Sequence, residues 1–122
     1  MAVTVLDLET PTGAFRYKNG ATNNTKSGVK ASSGTIYAIV IDNSANAAIT
    51  YVKLWDVASG SVTVGTTAPD MVFEVAASTK MSIVFPEGLV FGTALTEAAV
   101  TTPGTAGTTS PSSSVVLSIV YA

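Results

Sequence analysis

The chain has 122 residues, six basic and eight acidic side chains for a net charge of −2, and neither cysteine nor histidine. That composition excludes disulfides, thiolate or imidazole metal sites, cysteine nucleophiles and serine–histidine–aspartate triads, and it supplies no basic block to neutralise nucleic-acid phosphates. Charged residues make up only 11%, against about 25% in ordinary soluble domains, so 18 threonines and 13 serines must cover much of the surface.

In chain order, residues 3–9 alternate, with Val3, Val5, Asp7 and Glu9 on one side and Thr4, Leu6 and Leu8 on the other, which predicts a first strand at a sheet edge. Thr10-Pro11-Thr12-Gly13 ends it. Residues 14–18 alternate small or basic residues with Phe15 and Tyr17, and Asn19-Gly20 is a turn signal. From 21 to 34 the text is Asn, Thr, Ser, Gly and Lys with Val29 as its one large apolar residue, so 14–34 reads as an extended polar N-terminal arm or loop. Residues 35–42 form the most apolar run, expected as a strand buried on both faces. Asn43-Ser44-Ala45-Asn46 then predicts a hairpin into 47–56, near the centre of the fold.

Residues 71–75 and 81–85 alternate cleanly, placing Met71, Phe73 and Val75 on one side of one strand and Met81, Ile83 and Phe85 on one side of the next. Turns are expected at 58–61, 66–70, 77–79 and 86–88, where Gly, Pro, Ser and Thr cluster. Residues 62–64 read as a short strand or extended link, and 89–91 as a further strand. Residues 95–101 fit either a strand or a short helix, and the surrounding all-β text favours the strand. Residues 102–114 have the composition of a flexible loop, and the apolar 115–121 returns the chain to a sheet, so one domain spans 1–122. Eight to ten short strands at turn spacings of about 8–12 residues predict an all-β chain, a single antiparallel β-sandwich. A jelly-roll order stands slightly ahead of an immunoglobulin-like one, and a small barrel is a third arrangement.

No residue pattern supplies chemistry. Ser27-Gly28-Val29-Lys30 has the spacing of an acylating serine and its lysine, but it lies in polar text without the partner motifs. Asn23-Asn24-Thr25 matches a glycosylation acceptor, yet the N-terminus lacks the basic start and apolar stretch of a secretion signal. Asp42, Asp56, Asp70 and Glu87 lie beside turns, where carboxylates commonly accept backbone N–H bonds, and an EF-hand spacing is absent. The aromatics Tyr37, Tyr51, Trp55, Phe73, Phe85 and Phe91 are needed mainly for the core, with Trp55 the one to watch because it shares a strand face with Lys53 near a turn. Arg16, Lys18, Lys26 and Lys30 concentrate basic charge in the first 30 residues and read first as a solvated loop. No run approaches the ~18 apolar residues of a membrane helix. These features predict a protein made and folded in a cytoplasm, neither an enzyme nor a binder of membrane or nucleic acid, with no cofactor and no metal.

Tyr51-Val52-Lys53-Leu54-Trp55-Asp56, Thr63-Val64-Gly65-Thr66-Thr67-Ala68-Pro69, Phe85-Pro86-Glu87-Gly88-Leu89-Val90-Phe91 and the closing Val115-Val116-Leu117-Ser118-Ile119-Val120-Tyr121 together resemble a group of small virion-associated proteins of tailed bacteriophages and viral metagenomes. Those proteins carry a Tyr-x-Lys-Leu-Tyr start, a Val-Gly-Thr-x-x-Pro turn, a Phe-Pro-x-Gly-Leu turn and a last strand ending in Tyr. Trp55 stands where Tyr is more usual, and the resemblance covers about residue 49 to the C-terminus, leaving 1–34 without a counterpart. It implies a capsid decoration or cement protein in the virion, synthesised in the host cytoplasm and bound to the major capsid protein on the outside of the head, often as a homotrimer. A tail, neck or head-fibre subunit is the nearest alternative, and a glycan-binding adhesion module another. On the decoration reading Phe15, Arg16, Tyr17, Lys18, Lys26, Lys30 and Trp55 are the candidate partner-binding residues.

Overall fold

Alternation of apolar and polar residues carries through to eight strands in the computed structural model, which describes residues 13–122. The strand expected at 3–9 lies outside the described residues. The strands are β1 (Phe15–Thr22), β2 (Ser27–Lys30), β3 (Gly34–Asp42), β4 (Thr50–Trp55), β5 (Met71–Val75), β6 (Lys80–Phe91), β7 (Leu95–Val100) and β8 (Val115–Tyr121), with one 3-10 turn at Ser59–Ser61. They form two four-stranded sheets, ordered β1-β8-β3-β6 and β2-β7-β4-β5. Every pairing is antiparallel.

The pairings nest: β1 with β8, β2 with β7, β3 with β6, and β4 with β5. A long hairpin with β4 and β5 at its tip produces these four pairs. Rolling it up brings β8 beside β3 and β7 beside β4, which closes the two sheets. This is the jelly-roll order, not the immunoglobulin one.

Four local expectations are corrected. β3 and β4 do not form a hairpin; they lie in different sheets, each at an inner position. The crossover is fixed by Asn43, fully buried, whose Nδ2 donates to the carbonyls of Ala48 and Ala76 and whose Oδ1 accepts from Asn46 and Thr50. Within 14–34, expected as an arm or loop, the chain forms β1 and β2, one in each sheet; among the described residues both are edge strands, which fits their polar text. β3 is buried on one face only: Ile36, Ile39 and Ile41 point inward while Val40 is 39% exposed. Finally, 86–88 is no turn between strands. β6 runs through it, with a register shift against β3 between Ile36 and Ala38. Pro86 is tolerated because β6 is an edge strand, and Gly88 takes φ +80° where a Cβ would lie 2.3 Å from Thr35 Cγ2.

The core between the sheets is aliphatic, with Ile36, Ile39, Ile41, Val52, Leu54, Leu117 and Ile119 all at 1% exposure or less. Each such side chain contributes about 1.5–3 kcal/mol of burial. β7 is buried at every position because it is covered on both faces. Inward it meets the core; outward it lies beneath the chain's own loops. That double cover explains how Leu-Thr-Glu-Ala-Ala-Val, ambiguous by propensity, is held as a strand.

Candidate functional site

The outer faces of the two sheets are treated differently. On the β2-β7-β4-β5 sheet, Trp55, Ala98 and Val62 form a second small core with Val57 and Val64, closed by residues 56–70. Trp55 is fully buried and its Nε1 donates to the Thr67 carbonyl at 3.0 Å. Residues 102–114 lie against the same sheet. Lys53, also fully buried, donates from Nζ to the carbonyls of Gly104 and Gly107 at 2.7 and 3.0 Å. Asn24 Nδ2 bonds the Thr108 carbonyl, and Asn46 makes paired bonds to the backbone of Ser113. The segment read as flexible from its composition is thus tied down at both ends and in the middle.

The outer face of the β1-β8-β3-β6 sheet has no such cover among the described residues. One row across it is Arg16, Val120, Ala38 and Val84; the next is Lys18, Ser118, Val40 and Ser82. A third pairs Val116, Asp42 and Lys80, the last two joined by an ion pair at 3.5 Å. Val84 is 68% exposed, and Val90, further along β6, 76%. Apolar and neutral small residues hold the middle of this face, with cations at its two edges.

Of the residues expected at a partner surface, Arg16 and Lys18 stand exposed on this face. Phe15 is exposed at the start of β1, its ring 5.8 Å from that of Tyr121. Tyr17 turns inward and donates its hydroxyl to Glu97 at 2.9 Å; burial and the Glu97 carboxyl push its pKa up to about 12. Lys26 is half-buried and bonded to the Val62 carbonyl, and Lys30 is half-buried at the other end of β2. Trp55, enclosed beneath residues 56–70, presents nothing to a ligand in this fold. The fold therefore brings Arg16 and Lys18 together with the valine face and separates them from the rest of the set.

No catalytic constellation emerges among the described residues. Asp56 accepts N–H bonds from Gly92, Thr93 and Ala94, which hold its carboxyl below the usual range, and Asp70 accepts the Asp56 N–H at 2.6 Å. Both carboxylates border a largely apolar cavity of about 230 Å³ lined by Ile36, Leu54, Leu89 and Phe91, but each is already engaged with backbone. Ser27 and Lys30 lie on a strand, so no helical turn brings them together. No cluster of three potential metal ligands occurs among the described residues. Two features escaped the sequence reading: the valine face that no described residue covers, hidden because β3 is apolar on both sides, and Glu97, whose one signal is a carboxylate inside an otherwise uncharged run. Comparisons of the chain with protein-family models, with curated proteins and with solved structures found no match.

Proposed function

We propose that the chain is a structural virion protein, a decoration or cement protein that binds the outside of a tailed-phage head through the β1-β8-β3-β6 face, which no described residue covers. The observation that carries this reading is the asymmetry of the sandwich. One sheet is sealed by residues 56–70 and 102–114, while the other leaves Val40 and Val84 exposed at 39% and 68%. A strand face whose first two rows are valine, alanine and serine between the edge cations suits extended contact with another protein, since that apolar stretch gains from burial, while the Asp42–Lys80 ion pair stands in the third row at its end. Lys18, exposed at one margin, would set orientation by pairing with an acidic group of the shell. The resemblance of residues 49–122 to phage virion proteins points the same way, toward the major capsid protein as partner and a trimer as the assembled form. Trp55, the aromatic residue to watch for glycan binding, is fully buried, which favours the decoration reading over the glycan-binding one.

Quantitative mass spectrometry of purified virions of the encoding phage tests the proposal. A ratio to the major capsid protein of about one to one, or one to a few, is expected of a shell component. A few copies per particle would move the chain to the neck, tail or fibres, and absence from the particle would overturn the reading.

A further inference from the structure

Glu97 is a carboxyl group placed where a charge has almost no support. It projects from β7 into the space between the sheets, fully buried. Oε1 accepts two hydrogen bonds, from Tyr17 Oη at 2.9 Å and Asn19 Nδ2 at 2.7 Å, both on β1 of the opposite sheet. Oε2 has no hydrogen-bond partner. The elements around it bring neutral groups: Tyr17 and Asn19 from β1, Ser27 directly opposite on β2, and Leu54 directly opposite on β4. The cations of these elements are directed elsewhere. Arg16 and Lys18 occupy the alternate, outward positions of β1, Lys26 bonds the Val62 carbonyl, Lys30 lies one pairing further along against Leu95, and Lys53 is on the far face of β4. Burial accordingly raises the Glu97 carboxyl above its ordinary value, against the lowering effect of the two hydrogen bonds.

The position of the two donors gives this proton a mechanical role. Among the described residues β1 is an edge strand that pairs only with β8, and Tyr17 and Asn19 are side chains by which it reaches across to the other sheet. We propose that Glu97 is a proton-operated latch on β1: as the neutral acid it holds the strand closed over β7, and loss of its proton releases the strand. A carboxylate at Oε2 must find water or a donor, and the sandwich can admit one most readily by lifting its edge strand. Release would move Arg16 and Lys18 off the outer face. The latch is a property of the isolated chain and stands whether or not that face meets a phage shell.

The sign follows from linkage. In the open state Glu97 ionises at an ordinary carboxylate pKa, so the closed state holds more protons above that value, and closure weakens as pH rises until the closed-state pKa is passed. Hydrogen exchange of the β1 amides, corrected for intrinsic chemical rates, should therefore show an opening constant that rises about tenfold per pH unit above the ordinary carboxylate value and then levels. In Glu97→Gln, which keeps an oxygen acceptor for Tyr17 and Asn19 but cannot ionise, the β1 opening constant should be flat over the same range. An equal pH dependence in both proteins, or none in the wild type, overturns the latch. Should Glu97→Gln fail to fold, the carbon-13 titration of the Glu97 carboxyl in the wild type decides: a midpoint above the ordinary carboxylate range, moved higher still in Tyr17→Phe, supports the latch, and a midpoint within that range overturns it.

Discussion

Among the described residues Lys53 is, with Glu97, a fully buried ionisable side chain, and it illustrates how one residue can organise a loop. Its ammonium has two carbonyls for company, and desolvation lowers its pKa. The unfolded chain then binds this proton more tightly than the folded one, so stability should rise with pH through the alkaline range until the ordinary lysine value of about 10.4 is reached. Lys53→Met should abolish that rise, measured by urea unfolding followed by circular dichroism at successive pH values. The same variant loses two charge-assisted hydrogen bonds, so residues 102–114 should exchange amide protons faster while Trp55, sealed by a different loop, stays shielded from quenchers. Contact between the two loops, where a Cβ on Gly65 would strike Thr108, limits how far 102–114 can move. Neither buried charge was legible in the sequence. A lysine or glutamate in a strand reads as a solvent-facing residue, and only the loops folded over Lys53 and the edge strand folded over Glu97 make them otherwise.

At the scale of elements, the strands that were legible are those with one solvated face. β5, the first part of β6 and β8 alternate because inward and outward positions meet different media. Pairing was not legible in the same way. Asn43-Ser44-Ala45-Asn46 reads as a hairpin turn, yet both asparagines are buried and tie the β3–β4 crossover to the carbonyl of Ala76 and the backbone of Ser113. Turn chemistry identifies where the chain bends, while the choice of sheet depends on side-chain bonds to residues far along the chain. Asn43→Asp keeps the size and removes the donor group, leaving carbonyls unbonded around a buried charge. It should cost about 3 kcal/mol or more, roughly 10 °C in Tm, by thermal unfolding. The segment 86–88 misled for a related reason: Pro and Gly mark turns, and equally mark a bulge in an edge strand. Gly88→Ala should cost about 1–3 kcal/mol by the same method, since a Cβ there meets Thr35 at 2.3 Å on a backbone with φ +80°.

For the whole molecule, the spacing of turns and the absence of long helical periodicity made the sandwich legible, because those features depend on local chemistry. Which sheet the described loops cover was not, since it depends on where residues 56–70 and 102–114 come to rest. That asymmetry is also the basis of the proposed function, and it separates two surfaces that a single substitution can address. Val84 is 68% exposed on edge strand β6 of the open sheet, and Ala106 is exposed on the loop that lies against the closed one. Val84→Lys should change folding stability by no more than about 1 kcal/mol, the span of strand propensities at such sites. The most direct measurement mixes phage heads lacking this protein with wild-type, Val84→Lys or Ala106→Lys chain and counts copies retained per head by quantitative mass spectrometry. Wild type and Ala106→Lys should saturate the heads alike, and Val84→Lys should be retained at least about tenfold less, the equivalent of 1.4 kcal/mol. Retention of Val84→Lys at the wild-type level, or selective loss of Ala106→Lys, would contradict the assignment of the open sheet as the binding face.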